Sequence, residues 1–423
     1  MPVAGSGVGC DRLAGAIAAA DAAVRAAADA FDHQAELAQR RILAAFQAAG
    51  VAATDLGQGT GYGYGDRPRE AAEAVYAAFF RAEAALVRPH IVSGTQALTI
   101  ALAACLEPGA TLLGATGRPY DTLIPVITGG KGSLQAAGVA YAEVDPWADG
   151  GFDPDRAEAA ARRTRPQAVL LQRSRGYSQR PALSGAELRQ LISVLRAAAG
   201  DNLIVIVDNC YAELVEPEEP CAHGADLACG SLIKNPGGGV APTGGYVVGR
   251  RDLVELAAQR LYAPGLGAAV GPSLVPGRLL LQGLFLAPGA VAAALKTAVY
   301  AAAAFDHLGY PVRPGPADAR SDIVQSIRLG RRRLVELFCQ AIQGHSPIDS
   351  RAVPEFAALP GYDHQVIMAA GTFVQGASLE LSADAPDLAP HWVYLQGGLG
   401  LGYGKAAVEA AAKAVLATAD DPL

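Results

Sequence analysis

Between about residues 90 and 250 the chain alternates short apolar runs with helical stretches, and this rhythm constrains its fold more than any other feature. The runs at 111–115, 139–145, 168–171, 203–207 and 226–230 are too short for buried helices, whereas intervening segments such as DPDRAEAAARRT have helical character. Short parallel strands buried on both faces and joined by helices are the expected result: an α/β, doubly wound sheet. The run at 203–207, LIVIV, ends at Asp208 and so delivers a carboxylate to the strand's C-terminal end. In open α/β sheets ligands sit at that edge, and an acid there is placed to touch one.

The run at 226–230 leads to Ser231 and to Lys234, the only lysine between Lys131 and Lys296, with Gly237, Gly238, Gly239, Gly244 and Gly245 around it. Glycines let backbone approach a ligand closely. A lysine after one strand and an aspartate ending another are what pyridoxal 5′-phosphate requires. The amine forms a Schiff base with the aldehyde, and the carboxylate keeps the ring nitrogen protonated so that the ring can store electrons. A helix-capping aspartate and a solvated lysine in a glycine-rich loop would leave the same residues, and this stretch alone does not separate the two readings.

Three other segments bear on the choice. The sequence HIVSGTQAL passes from a short strand into a helix through Ser93, Gly94 and Thr95. Unpaired N–H groups and hydroxyls at a helix start suit a phosphate, although Ser or Thr can also simply cap the helix. Tyr120 follows the strand at 111–115, where an aromatic can cover one face of a flat ring or sit at the rim of a core. Arg173, Arg175 and Arg180 follow the strand at 168–171 and suit either an anion clamp or an ordinary surface loop.

With 423 residues, 51% of them hydrophobic, the chain can bury a large core with one or two smaller domains beside it. A net charge of −7, with no basic run beyond Arg331, Arg332 and Arg333, argues against nucleic acid. Six cysteines without CxxC spacing argue against a zinc site and a disulfide framework, and point to a reducing cytoplasm. The N-terminal Ala-rich run is broken by Asp21, Arg25 and Asp29, so no signal peptide is expected. Gln282, Pro288 and Lys296 interrupt the apolar stretch 279–304, so no membrane span is expected and a pair of buried helices is.

The expected organisation is an N-terminal helical segment at 1–60, a large domain at 61–300 and a small α+β domain at 301–423. One or two amphipathic helices should cover 11–49, where Phe31, Leu37, Ile42, Leu43 and Phe46 fall near helical spacing. A Gly/Tyr loop at 59–65 should lead into a helix over 68–80, with Pro68 in its first turn. In the last domain, strands are expected at 366–369, 378–381 and 393–395, then a helix over 405–417.

Taken together, GYGYGD (61–66), ALVRPHIVSGTQAL (85–98), GRPYDTL (117–123), LLQRSRGYSQRP (170–181), VDNCYAE (207–213), GSLIKNPGGGVAPTGGY (230–246), SPIDS (346–350), MAAGTFVQGASLELSAD (368–384) and VYLQGGL (393–399) carry a resemblance. In order and spacing, the chain resembles the methionine γ-lyase/cystathionine β-lyase-like aluminium-resistance proteins, which are fold-type-I pyridoxal-phosphate enzymes. The resemblance implies a mostly parallel sheet of the seven-stranded type flanked by helices. It implies Lys234 as the Schiff-base lysine, Asp208 as the pyridinium partner, Tyr120 as the ring-stacking residue, and Ser93, Gly94, Thr95 and Ser231 as phosphate contacts. Tyr62 and Tyr64 resemble the loop that reaches the phosphate of a neighbouring subunit, which implies a homodimer or homotetramer with shared sites. In the wider family an arginine occupies the place of Tyr64, and another, for the substrate carboxylate, the place of Tyr394; Arg173 and Arg175 are then the candidates for that carboxylate. The implied activity is elimination of a thiol from a sulfur-containing amino acid, with an aminotransferase or a non-catalytic pyridoxal-phosphate-binding stress protein as alternatives. No metal site is expected.

Overall fold

The structure, a computed structural model, describes residues 6–148 and 150–419. They fall into two compact units: one is Leu37–Ala287, and the other joins the segment up to Glu36 to the segment from Pro288 onward. Helix α1, Ser6–Ala49, is one unbroken helix that contributes to both.

In the larger unit, α2 (Arg67–Phe80) starts where the Asp66 carboxylate accepts from the Arg69 N–H, with Pro68 in the first turn, and stops at Arg81 in the left-handed region. Then follow β1 (Ala84–Arg88), α3 (Gly94–Cys105), β2 (Thr111–Gly114), the short α4 (Ile124–Thr128), β3 (Ala140–Glu143), α5 (Pro154–Thr164) and β4 (Ala168–Gln172). Helix α6 (Gly185–Ala199) opens on a reciprocal cap between Ser184 and Glu187, and β5 (Ile204–Asp208), β6 (Leu227–Ser231), β7 (Gly245–Gly249) and α7 (Arg251–Leu261) complete the series.

The seven strands lie in the order β1-β7-β6-β5-β4-β2-β3, and β7 runs antiparallel to both of its neighbours. Alternate residues of one run go to opposite faces. Leu112, Leu170 and Ile206 meet α3 and α7 residues such as Leu98, Leu102 and Val254. Leu113, Val169, Leu171, Val205 and Val207 meet α5 and α6 through Ala160, Leu188, Leu191 and Leu195. Burying each Val, Leu or Ile contributes about 1.5–3 kcal/mol, so the uninterrupted apolar character of these strands follows from having a helix layer on both sides.

Helix α8 (Gly277–His307) corrects the expected helix pair, because it continues through Pro288. A proline forfeits one backbone hydrogen bond, but Leu280, Leu281 and Leu284 before it and Val291, Leu295 and Val299 after it are all buried, which outweighs the loss. It is also the one described helix long and apolar enough to cross a membrane. Near its start, the backbone of Gly283 meets Gly238 so closely that a Cβ on Gly238, which has φ +58°, would lie 2.3 Å from the Gly283 oxygen.

The smaller unit holds β8 (Val312–Arg313), β9 (Gln325–Arg328), α9 (Arg332–Gly344), β10 (Ala357–Ala358), β11 (Gln365–Ala369), β12 (Ser382–Pro386), β13 (Trp392–Gln396) and α10 (Leu401–Ala419). Its six strands form an antiparallel sheet in the order β10-β11-β12-β13-β9-β8. Ile327, Ile367, Ala383, Val393 and Leu395 pack on Phe338 and Ile342 of α9 and on Val408 and Val415 of α10. The strand expected at 378–381 is a turn, in which the Glu380 N–H donates to the Ala377 carbonyl at 3.2 Å; pairing starts only at Ser382, opposite Gln396. Leu379 and Leu381 are fully buried without a ladder, which explains why their alternation imitates a strand.

Candidate active site

Strand β5 carries Asp208 at its carboxyl end, between Gln172 of β4 and Cys229 of β6 in register. Its carboxylate is buried and accepts from the Cys210 N–H at 3.1 Å. Burial pushes the pKa up to about 6, against hydrogen bonds from Cys210 and the charges of Lys234 and Arg180, which pull it down. Lys234 leaves β6 three residues after Ser231. Its Nζ donates to the Tyr211 hydroxyl at 2.5 Å and lies 3.8 Å from the centre of that ring.

Helix α3 begins against the same loop. A Cβ on Gly94 would lie 2.9 Å from Cys210 Sγ and 3.7 Å from the Ser231 Cβ, so the helix start, the loop after β5 and the end of β6 converge. Ser93 is the N-cap, its Oγ accepting from the Gln96 N–H at 3.1 Å. That leaves the N–H groups of Gly94 and Thr95 without a partner among the described residues, at the positive end of the helix. Ser231 is buried, with its Oγ accepting from the Ile233 N–H at 3.3 Å. The Tyr120 hydroxyl donates to Thr95 Oγ1 at 3.0 Å, and Thr95 Oγ1 lies 3.3 Å from Thr122 Oγ1. Burial, reinforced by the Asp208 charge, holds the Tyr120 phenol well above its ordinary pKa, so it stays protonated near neutrality.

The two arginine candidates diverge. Arg173 is fully buried and turned inward: Nε donates to the Leu183 carbonyl at 3.3 Å, Nη1 to Asn209 Oδ1 at 3.2 Å, and Nη2 forms an ion pair with Glu216. Its guanidinium is thus engaged by Leu183, Asn209 and Glu216, all within the fold. Arg175 is buried too, with its carbonyl accepting from Ser178. Arg180 binds the carbonyls of Gln172 and Ser174 and stacks on Trp147.

Tyr62 and Tyr64 are 57% and 68% exposed, and among the described residues their one ring contact is with each other. Their loop is held through its backbone: Arg69 donates to the carbonyls of Gly63 and Gly271, and the Gly271 N–H donates to the Tyr62 carbonyl. The structure therefore assembles Asp208, Lys234, Tyr120, Ser93, Gly94, Thr95 and Ser231 around one sheet edge and leaves the two tyrosines pointing to solvent.

Sequence reasoning missed Tyr211, although it lies in the VDNCYAE motif. Its non-glycine left-handed backbone, φ 71°, has no signature in the sequence. It missed Gln172 as well, whose Oε1 accepts from the Tyr120 N–H at 3.1 Å and whose amide donates to the Ser174 carbonyl at 2.9 Å. Among the described residues no cluster of three or more His, Cys, Asp or Glu could hold a metal ion.

The family model described as methionine gamma-lyase matches residues 14–416. The carbon–sulfur lyase involved in aluminium resistance from Clostridium novyi NT has a crystal structure 40% identical to this chain, with a TM-score of 0.90 over 95% of this chain and 96% of its own. Protein YnbB of Bacillus subtilis strain 168, which carries the name uncharacterized, is 46% identical over 372 residues, 87% of this chain and 88% of YnbB. The pyridoxal-5′-phosphate-dependent protein YhfS from Escherichia coli, 19% identical, shares the fold with a TM-score of 0.60 over 91% of this chain and 96% of its own. The mostly parallel seven-stranded sheet with its separate antiparallel sheet is thus the fold-type-I arrangement, and the chain belongs to the methionine gamma-lyase family.

Proposed function

We propose that the chain is a pyridoxal-phosphate-dependent carbon–sulfur lyase that eliminates a thiol from Cβ or Cγ of a sulfur-containing amino acid, working in the cytoplasm. The observation that carries this reading is the buried Asp208 carboxylate beside Lys234, with the unpaired N–H groups of Gly94 and Thr95 at the same sheet edge. A buried carboxylate with a raised pKa is unfavourable until a cation meets it, and a protonated ring nitrogen is such a cation. The residues fit the cofactor: Asp208 for the ring nitrogen, Tyr120 for a ring face, Lys234 for the aldehyde, and Ser93, Gly94, Thr95 and Ser231 for the phosphate. When bound, the cofactor supplies an aldehyde for amines and a ring that accepts electrons from the substrate Cα. With the cofactor bound, the Lys234 amine would take the Cα proton, and Arg175 would hold the substrate carboxylate so that this proton faces the base. Tyr62 and Tyr64 complete the phosphate site of a second copy in a homodimer or homotetramer.

The direct test is thiol release from cystathionine and methionine by purified protein. Release should need no added 2-oxo acid, and a strict requirement for one would indicate an aminotransferase instead. Lys234→Ala should abolish both thiol release and the yellow colour of the lysine-linked cofactor.

Asp208 also controls stability. Its folded pKa of about 6 lies above the usual carboxylate value, so the folded cofactor-free protein keeps a proton that the unfolded chain has already lost. Stability therefore falls as pH rises through the window between those two values and stays at the lower level above it. Above the window, cofactor-free Asp208→Asn should be more stable than the cofactor-free parent by roughly 3 kcal/mol, about two pK units' worth, and the gap should narrow as pH is lowered towards about 5. Denaturant titrations at several pH values measure this; a parent more stable than the variant at pH near 8 would show that the carboxylate costs nothing. The variant should also lose most activity.

Arg175→Lys should raise KM roughly tenfold or more with little change in colour, because an ammonium lacks the planar fork that grips a carboxylate. Arg173→Lys should instead lower stability, by about 2–4 kcal/mol, since it disturbs a buried pair. An unchanged KM in Arg175→Lys would move the carboxylate site to another arginine.

The shared-site reading is checked by mixing chains. A Tyr62→Phe/Tyr64→Phe chain and a Lys234→Ala chain, each inactive alone, should regain part of the activity as hybrids. Hybrids that form but stay inactive would mean that each site is built from one chain.

A further inference from the structure

We infer that Tyr211 is a catalytic residue of this site: it holds the Lys234 amine at its resting position and governs when that nitrogen is released to a carbonyl carbon. The inference rests on the pyridoxal-phosphate reading above and assigns a residue which that reading leaves unused.

Two contacts of different kinds meet the same nitrogen. The Tyr211 hydroxyl oxygen accepts from Nζ at 2.5 Å, and Nζ lies 3.8 Å from the centre of the ring, within range of a cation–π attraction. Both favour the protonated amine, because an ammonium makes the stronger hydrogen bond and only a cation is drawn to the ring face. The neutral amine is the nucleophile. One N–H bond of the ammonium must break, with its proton passing to solvent, before the lone pair can form an N–C bond to an aldehyde; the two remaining hydrogens of the nitrogen then leave with the aldehyde oxygen as water. Tyr211 therefore raises the pH at which capture begins.

The loop is built to present this side chain. Tyr211 and Leu214 both have positive φ, 71° and 68°, in a region that costs non-glycine residues energy and persists only where the surroundings over-determine it. Those surroundings are rigid. The Asn209 N–H donates to the Cys229 carbonyl at 3.0 Å, the Leu214 N–H to Glu219 Oε1 at 2.9 Å, and buried Glu213 accepts from the Tyr246 hydroxyl at 2.8 Å. Tyr211 alone of residues 209–215 is only half-buried while its neighbours are locked in the core. A single loop thus offers Asp208 to a ring nitrogen and Tyr211 to the lysine. The titratable groups acting on the amine include Asp208, Cys210 and Tyr211 from this loop, while Arg180 beyond β4 and Tyr120 beyond β2 act on Asp208.

The experiment uses cofactor-free full-length protein and pyridoxal 5′-phosphate, with borohydride trapping and the mass of the Lys234 peptide as the readout of covalent capture at a series of pH values. In Tyr211→Phe, which keeps the ring and removes only the oxygen, the midpoint of capture should move to lower pH by on the order of one unit, the size a charge-assisted hydrogen bond produces. In Tyr211→Leu, which also removes the ring face, it should move at least as far. In the Lys234→Ala background, Tyr211→Phe should leave non-covalent binding of the cofactor unchanged in equilibrium dialysis, since its effect runs through the amine. Midpoints that coincide in the parent and both variants overturn the inference, as does weakened dialysis binding in the Lys234→Ala background. Failure of the parent protein itself to capture the aldehyde on Lys234 overturns the proposed function, and the inference with it.

Discussion

A carboxylate at the end of a strand that is buried on both faces is the constraint from which the site follows. β5 can be apolar along its length because helix layers cover both of its faces, and the same layers deny Asp208 the solvent that an ionised group wants. The protein supplies partial relief, a hydrogen bond from the Cys210 N–H and the nearby charges of Lys234 and Arg180, and stops short of a full ion pair. Compare Arg173, whose guanidinium has an ion pair and two further hydrogen bonds and is therefore quiet. The contrast separates a buried charge with only partial relief from one whose partners all lie within the fold.

The quiet groups have their own task. Arg173 binds Asn209, Asn209 donates to Glu219, and Glu219 accepts from the Leu214 N–H, so the loop after β5 is anchored at several points. Glu213 adds a carboxyl that burial drives well above the ordinary carboxylate range, with Tyr246 donating to it. A neutral acid in that position satisfies a buried hydroxyl without adding a second negative charge near Asp208. The anchoring makes an unfavourable backbone at Tyr211 sustainable, because the loop cannot relax without breaking several buried hydrogen bonds at once.

The large unit was legible in the sequence because its signals are local. A strand that is apolar throughout, a polar residue at its end and a capping serine after it each follow from a few neighbouring residues, and Asp208, Lys234, Ser93 and Tyr120 all converge at the sheet edge where those signals place them. What stayed hidden depends on direction and on long-range partners. Arg173 and Arg175 stand two apart beyond the same strand, and only partners further along the chain, Leu183, Asn209 and Glu216, turn Arg173 inward. Leu379 and Leu381 are buried by a turn instead of by pairing, and Pro288 is tolerated because apolar contacts flank it on both sides. Composition carries neither fact.

The absence of an arginine in VYLQGGL has a structural counterpart. Tyr394 stands in the middle of β13, opposite Asp384 on one side and Ser326 on the other, and it is buried within the small antiparallel sheet. With tyrosine there, the strand is uncharged from Trp392 to Gln396, all five residues of which are buried. An arginine in the same place would have to be desolvated or find a partner, at a cost of several kcal/mol for an unpaired buried ion. An uncharged tyrosine in that place therefore suits the sheet's packing. Of the two arginines beyond β4, Arg173 is engaged by Glu216, and the buried Arg175 is the one that the proposed function assigns to the substrate carboxylate.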